Sequence, residues 1–268
     1  MTLESTLRAA RDAGRKLLVP YVTGGLSADW VDCLRACADA GADAVEVGIP
    51  FSDPAMDGPT IQEASTAALE RGATPASILD DVRSLDAGVP LVAMTYYNLV
   101  ARNGEARFAG ELAGAGIAGA ILPDLPLEES ASWEAAAAAA GVETVLLAAP
   151  VTPDDRLARI AERSRGFVYA VSRMGTTGER ADLAEAAAII GKRLKAITDK
   201  PVLVGFGVTT PEQAVAAAEH ADGVIVGSAL VRRLLDGVGP EGAAEYVGSL
   251  RRALDAGSPP SPGAAGGA

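Results

Sequence analysis

A single-domain (β/α)8 barrel, the TIM-barrel form of the α/β class, is the fold this sequence predicts. Three observations lead to it. Eight short runs rich in apolar and β-branched residues recur along the chain: "KLLVPYV", "AVEVGI", "PLVAMTY", "GAILP", "TVLLAAP", "FVYAVS", "PVLVGFG" and "GVIVGSA". Amphipathic helical runs separate them, as the repeated βα units of a parallel sheet require. The chain has 268 residues, and about 250 is the usual size of one such barrel. An open doubly wound sheet binding a dinucleotide would carry G-x-G-x-x-G after its first strand. Here that loop reads "VTGGLSADW", with the wrong glycine spacing.

Taken in order, an extra helix precedes the first strand. Beyond that strand, Ser27 is placed to cap a helix bearing Trp30, Val31 and Leu34, which Gly41 would end. The long connection between the second and third strands holds "GIPFSDPAMDGPTIQ" and two helices, over about 62–71 and 75–86. In "TPASILDDVRSL", Ile78, Leu79, Val82 and Leu85 fall on one helical face. Thr74, Thr152 and Thr210 each precede a proline suited to the first helical position. The barrel domain is expected over residues 1–257. The last eleven residues, "SPPSPGAAGGA" (258–268), carry no periodicity and too little apolar surface to fold, so a disordered tail is expected there.

Composition narrows the chemistry. A formal charge of -12 excludes a basic surface for nucleic acid, although a small phosphate can still be held by backbone amides. Cys33 and Cys37, the two cysteines, stand four apart in a helical pattern and are expected to pack as small apolar side chains. No run approaches the roughly 18 apolar residues of a membrane span, and the first residues lack a signal peptide's apolar stretch, so a cytoplasmic protein is expected. Lysines occur at 16, 192, 195 and 200, all before strands or on a helix, away from where a Schiff base would form. One histidine, His220, with two helical cysteines cannot assemble a zinc site, so no metal is expected, and His220 falls at the wrong rim for a Ser-His-Asp triad.

In such a barrel the active site lies at the C-terminal ends of the strands. Glu46 stands inside the second strand, where a carboxylate is costly unless partnered or used. Composition alone leaves a buried ion pair open as its role. Asp57 reads equally as an ordinary loop acid, and Asp53, before Pro54, as a turn former. Tyr96, Tyr97 and Asn98, Asp124, and Tyr169 mark further strand ends. Glycines after the sixth, seventh and eighth strands, with Gly227 and Ser228 at a helix start, match the recurring phosphate position of barrel enzymes. Acid–base chemistry by carboxylates and tyrosine on a phosphorylated small molecule is what survives.

In these motifs the chain resembles the tryptophan synthase alpha subunit family. The resemblance covers about residues 3–255 and is carried by "EVGIPFSDPAMDGPTIQ", "MTYYN", "ILPDLPLEE", "YAVSRMGTTG", "GFGVTTPEQ" and "VIVGSA" in the family's order. It implies cleavage of indole-3-glycerol phosphate to indole and glyceraldehyde 3-phosphate, with no cofactor on this subunit. It also implies a beta subunit partner bearing PLP, in an alpha2beta2 tetramer, to which indole passes through a tunnel. By resemblance, Glu46 matches the catalytic glutamate, Asp57 the aspartate that holds the indole N–H, and Tyr169 the active-site tyrosine. Gly178, Gly207, Gly227 and Ser228 would contact phosphate, Phe206 would line the site and Thr177 would lie in a closing loop. Asp124 matches an acid at the face toward the beta subunit. The first loop departs from the family in lacking its Asp-Pro or Tyr-Pro dipeptide. Alternative readings are a stand-alone lyase releasing free indole, a silent activating subunit, and another phosphosugar barrel enzyme such as an isomerase.

Overall fold

The computed structural model describes residues 2–171, 180–205 and 207–257. Eight parallel strands close into a barrel in sequence order: β1 (Leu17–Thr23), β2 (Val45–Gly48), β3 (Leu91–Met94), β4 (Ile117–Ile121), β5 (Glu143–Ala148), β6 (Val168–Val171), β7 (Val202–Gly205) and β8 (Gly223–Val226). Each of the eight runs read from the sequence contains or overlaps one of them. Among the described residues twelve helices surround the barrel: α1 (Leu3–Asp12), α2 (Trp30–Asp39), α3 (Pro59–Glu70), α4 (Pro75–Val82), α5 (Tyr97–Asn103), α6 (Glu105–Gly114), α7 (Ala131–Ala140), α8 (Asp154–Arg163), α9 (Arg180–Lys195), α10 (Pro211–Ala218), α11 (Ser228–Leu235) and α12 (Gly239–Gly257).

The helix preceding β1 plugs the N-terminal mouth of the barrel. Thr2 and Ser5 form a reciprocal capping box that starts α1, and the Glu4 amide donates to Glu143 Oε2 at 2.8 Å. Leu3 and Leu7 are fully buried among Leu17, Val19, Ala44, Val92, Ile121, Val145, Phe167, Leu203 and Ile225. Glycine at 119 and 166 leaves the space that Leu3 occupies, since a Cβ at either position would come within 2.7 Å of Leu3 Cδ2. Trimming Leu3 or Leu7 to alanine would cost about 2–5 kcal/mol on the usual scale for buried leucine.

Most helix boundaries follow the local signals. Thr74 and Thr210 cap α4 and α10 with full capping boxes, and Gly41, at φ +101°, turns the chain after α2. Others differ. Ser27 does not cap α2, which starts at Trp30 with Asp29 before it and no side-chain cap bond, because Ser27 lies in the turn ahead. The Thr152 hydroxyl accepts from the Ala149 amide instead, and Pro153 precedes α8, whose first turn holds Asp154 and Asp155. Those acids favour the positive helix end without a threonine cap. Helix α3 begins at Pro59, earlier than periodicity suggests, and α4 ends at Val82, earlier than the apolar face reaching Leu85 implies. Cys33 and Cys37 are buried free thiols in the core between α2 and the barrel. No helix among the described residues is long and apolar enough to cross a membrane. The tail 258–268, for which disorder is expected, lies outside the described residues.

Candidate active site

All four residues of β2 are buried, and Glu46 is 1% exposed. Its Cα pairs in register with Tyr21 on β1 and Val92 on β3. Among the described residues, Oε2 of Glu46 has no hydrogen-bond partner. Burial, with the nearby Asp57 charge adding to it, pushes the carboxyl up to about 8. Glu46 therefore holds a proton at neutral pH and presents an unengaged oxygen. Tyr21 fits beside it because residue 48 is glycine: a Cβ there would fall 1.9 Å from the Tyr21 hydroxyl oxygen.

Beyond β2 the chain leaves the barrel as a loop. The Ile49 amide donates to Met94 O, which prolongs the pairing with β3 by one step, and Pro50 ends it. Two turns follow, closed by Ala55 N to Asp53 O at 2.8 Å and Asp57 N to Pro54 O at 3.0 Å. Gln62 Nε2 donates to the Asp57 carbonyl at 2.9 Å, tying the loop to α3. Asp57 itself is half-buried and turned toward the barrel mouth, close enough for its charge to act on Glu46, Tyr21 and Tyr169. Burial pushes its carboxyl up to about 6, opposed by a hydrogen bond from the Tyr96 hydroxyl. Asp53, by contrast, is exposed and accepts from Ser52 Oγ at 2.5 Å. It is a turn residue, and the structure does not bring it to Glu46.

Tyr169 on β6 completes the ring. Burial first, then the charges of Glu46 and Asp57, raise its phenol well above the ordinary value, so it stays a neutral hydroxyl. Gly205 on β7 makes room for it, since a Cβ there would lie 2.3 Å from the Tyr169 ring. At the end of β8, Gly227 precedes α11 and Ser228 begins it, with no side-chain cap on that helix start. A Cβ on Gly227 would meet Tyr21 Cβ at 3.7 Å, so this helix end opens beside β1 near the carboxylates. Gly207 is exposed after β7. Thr177, Gly178 and Phe206 lie outside the described residues.

Sequence reading missed two contributors and the local role of a third. Tyr21 was the first; its signal was register, because Leu17, Val19 and Tyr21 stand two apart in "LLVPYVT" and the first two enter the barrel core. Tyr96, marked only as a strand end, is 5% exposed and bonds to the loop that carries Asp57. Asp124 Oδ1 accepts from the Tyr97 amide at 2.9 Å, so it caps α5 and ties the ends of β3 and β4 together. Three of the four lysines are engaged at the opposite rim: Lys16 donates to Ala218 O and Ala221 O, Lys200 to Ala161 O, and Lys195 pairs with Asp222 at 2.9 Å. Among the described residues no group of three or more His, Cys, Asp or Glu could hold a metal ion.

One protonated and one ionisable carboxyl, pushed to different values in one barrel mouth, can donate a proton from the first while the second accepts a hydrogen bond. Residues 7–252 match the family model described as "Tryptophan synthase alpha chain". The tryptophan synthase alpha chain of Streptomyces coelicolor is 46% identical over 257 residues, covering 94% of each chain. That of a Picosynechococcus strain is 41% identical, covering 94% of this chain and 99% of the other. Among solved structures, tryptophan synthase from Mycobacterium tuberculosis superposes with a TM-score of 0.87 at 41% identity, over 94% of this chain and 97% of that one. The alpha chain from Legionella pneumophila gives 0.84 at 31% identity, over 95% and 98%.

Proposed function

We propose, from the premise that this chain belongs to the tryptophan synthase alpha chain family, that Glu46 and Asp57 are the pair of carboxyls through which it acts. The chain is a carbon–carbon lyase that cleaves indole-3-glycerol phosphate to indole and glyceraldehyde 3-phosphate in tryptophan biosynthesis. The observation that carries the residue assignment is Glu46: a buried, protonated carboxyl whose Oε2 has no partner among the described residues, within electrostatic reach of a second carboxyl.

The chemistry follows from the substrate. Indole is a poor carbon leaving group until C3 is protonated, because only the resulting iminium-like ring can accept the electrons of the breaking bond. Glu46 gives its proton to C3, and Asp57, as carboxylate, accepts a hydrogen bond from the ring N–H and steadies the positive charge. Glu46, now ionised, takes the proton of the glycerol hydroxyl on the carbon bonded to C3. The C–C bond breaks, its electrons restore the aromatic indole, the hydroxyl carbon becomes the aldehyde, and Glu46 is again protonated. Tyr169 stays neutral beside both groups. The backbone amides at Ser228 and around Gly207 and Gly227, with Gly178, hold the phosphate, as the uncapped start of α11 allows. Family membership assigns Phe206 a place lining the site and Thr177 one in a closing loop; both lie outside the described residues.

No residue here requires a cofactor for this reaction; PLP belongs to the beta subunit, with which this chain assembles as an alpha2beta2 tetramer in the cytoplasm. The assignment is tested by assaying indole-3-glycerol phosphate cleavage. Glu46→Gln is expected to lose about 10² to 10⁴-fold in kcat with phosphate-ester binding retained. Full activity in that variant sinks the mechanism. Mixing the chain with a beta subunit and following indole release against tryptophan formation tests the partner.

A further inference from the structure

The phosphate site proposed above has two halves, the start of α11 at Gly227 and Ser228 and the loop after β7 that carries Gly207. Their strands are neighbours: Gly205 pairs with Ile225, and Gly207 and Gly227 each stand two residues further on. Helix α11 fixes its own first amides, whereas an amide in a loop needs outside support to point one way. A side chain of α10 gives that support. Oε1 of Gln213 accepts from the Thr209 amide at 2.8 Å, the Thr209 hydroxyl at 2.9 Å and the Thr210 amide at 3.3 Å. In the capping boxes of α1 and α4 the corresponding oxygen bonds the N-cap residue itself, Ser5 Oγ accepting from the Thr2 amide and Ser77 Oγ from the Thr74 amide, both at 2.9 Å. Gln213 reaches one residue past its N-cap, Thr210, and its two shortest bonds are the ones to the loop. From the other side, the Tyr246 hydroxyl of α12 donates to Thr209 O at 3.4 Å. The Arg233 guanidinium of α11 lies 3.9 Å over the Tyr246 ring, so the second half of the site packs on the same strut.

We propose that Gln213 is a positioning residue for the substrate's phosphate, its side-chain oxygen fixing the β7–α10 loop so that the Gly207 amide meets the group held at the start of α11. The inference rests on the phosphate site proposed above. One amide oxygen serves three donors on two consecutive residues, so neither Thr209 nor Thr210 can turn without breaking a bond. An amide aimed before the ligand arrives costs no ordering on binding. Glutamine also suits the place by charge. Glutamate, the other usual residue of a capping box, would supply the same acceptor but set a negative charge near a phosphate. The phosphate takes no part in breaking the carbon–carbon bond, so its contacts bind substrate and transition state alike. Loosening them moves KM and leaves kcat nearly as it was.

The test compares Gln213→Ala, Gln213→Glu and Ser77→Ala in indole-3-glycerol phosphate cleavage, with the beta subunit present and inorganic phosphate as competing ligand. Gln213→Ala is expected to raise KM roughly tenfold, the scale of one hydrogen bond to a charged group, with kcat within about threefold of the parent. The inhibition constant of inorganic phosphate should rise by the same factor. Gln213→Glu keeps the acceptor and should bring KM back to within about threefold, the remainder shrinking as salt screens the added charge. Ser77→Ala cuts the matching box on α4 and measures lost capping alone; it should lower Tm and leave KM and phosphate inhibition unmoved. Unchanged KM and phosphate inhibition in Gln213→Ala, or an equal rise in Ser77→Ala, overturns the proposal. If inorganic phosphate does not compete with substrate in the parent, the phosphate site itself is overturned, and the role of Gln213 with it.

Discussion

Asp43, two residues before β2, and Glu46, within it, stand three residues apart, both carboxyls inside the protein, and they are treated in opposite ways. Asp43 at the N-terminal rim accepts from the Leu18 amide at 2.8 Å, from Arg15 Nε at 2.7 Å and from Arg251 Nη1 at 3.3 Å. Burial raises its pKa, and Arg15, the Leu18 amide and Arg251 pull it back. Glu46, facing the other rim, has among the described residues no cation beside it, only Asp57, and one oxygen without a hydrogen-bond partner. Saturation makes the first acid structural. Leaving the second unsaturated keeps it protonated, as the proposed mechanism requires, at a cost in stability that the rest of the barrel must offset.

The strongest way to break this comparison is to exchange the consequences. Glu46→Gln should lose activity by about two to four orders of magnitude while melting no lower than the parent. Asp43→Asn leaves two arginines short of a buried partner, which on the scale for broken buried pairs lowers Tm by roughly 6 to 12 °C. Its kcat, measured well below that melting point, should stay within about threefold of the parent. A large activity loss in Asp43→Asn with unchanged melting would erase the distinction between the rims.

Next in size is the pH dependence. The reactive state has Asp57 ionised and Glu46 protonated, so kcat/KM should fall as pH drops through about 6 and fall again as it rises through about 8. A profile flat from pH 5 to 9 would contradict the assignment of both groups. The smallest effect is on stability. An unfolded glutamate ionises near 4.5, whereas Glu46 keeps its proton up to about 8 in the fold, so stability due to this residue falls as pH rises between those values. Glu46→Gln removes that slope. Its Tm should match the parent near pH 4 and exceed it by several degrees at pH 8, read by thermal melts at both values.

Much of this site was legible in the chain. The break from "VEVGI" to "PFSDPAMDG" announces a strand that ends on a polar loop, and barrel geometry then places Glu46 where ligands bind. Asp57 was legible only as a loop acid, because its inward turn is fixed by backbone bonds to Pro54 and Gln62 and by the Tyr96 hydroxyl that holds the adjoining Met56 amide from 40 positions away. Tyr21 escaped notice because every residue of β1 is buried, and a strand covered on both faces shows no alternation to mark its inner side. The capping role of Asp124 could not be read at all, since its partner amide lies 27 positions away.

Local pattern by itself determined the eight βα units, the caps at Thr74 and Thr210, the plug helix ahead of β1 and the rim on which the chemistry sits. These depend on interactions within a few residues, or on a topology with few alternatives. Only the closed barrel decided which side chains meet. Gly48 yields its space to Tyr21 and Gly205 yields its own to Tyr169, and among the described residues Glu46 is left without a cation. Proton affinity depends on such neighbours, brought from β1, β2, β3 and β6 by strand closure. That is why one chain segment can hold a structural acid and one proposed as catalytic, with nothing in their residue types to tell them apart.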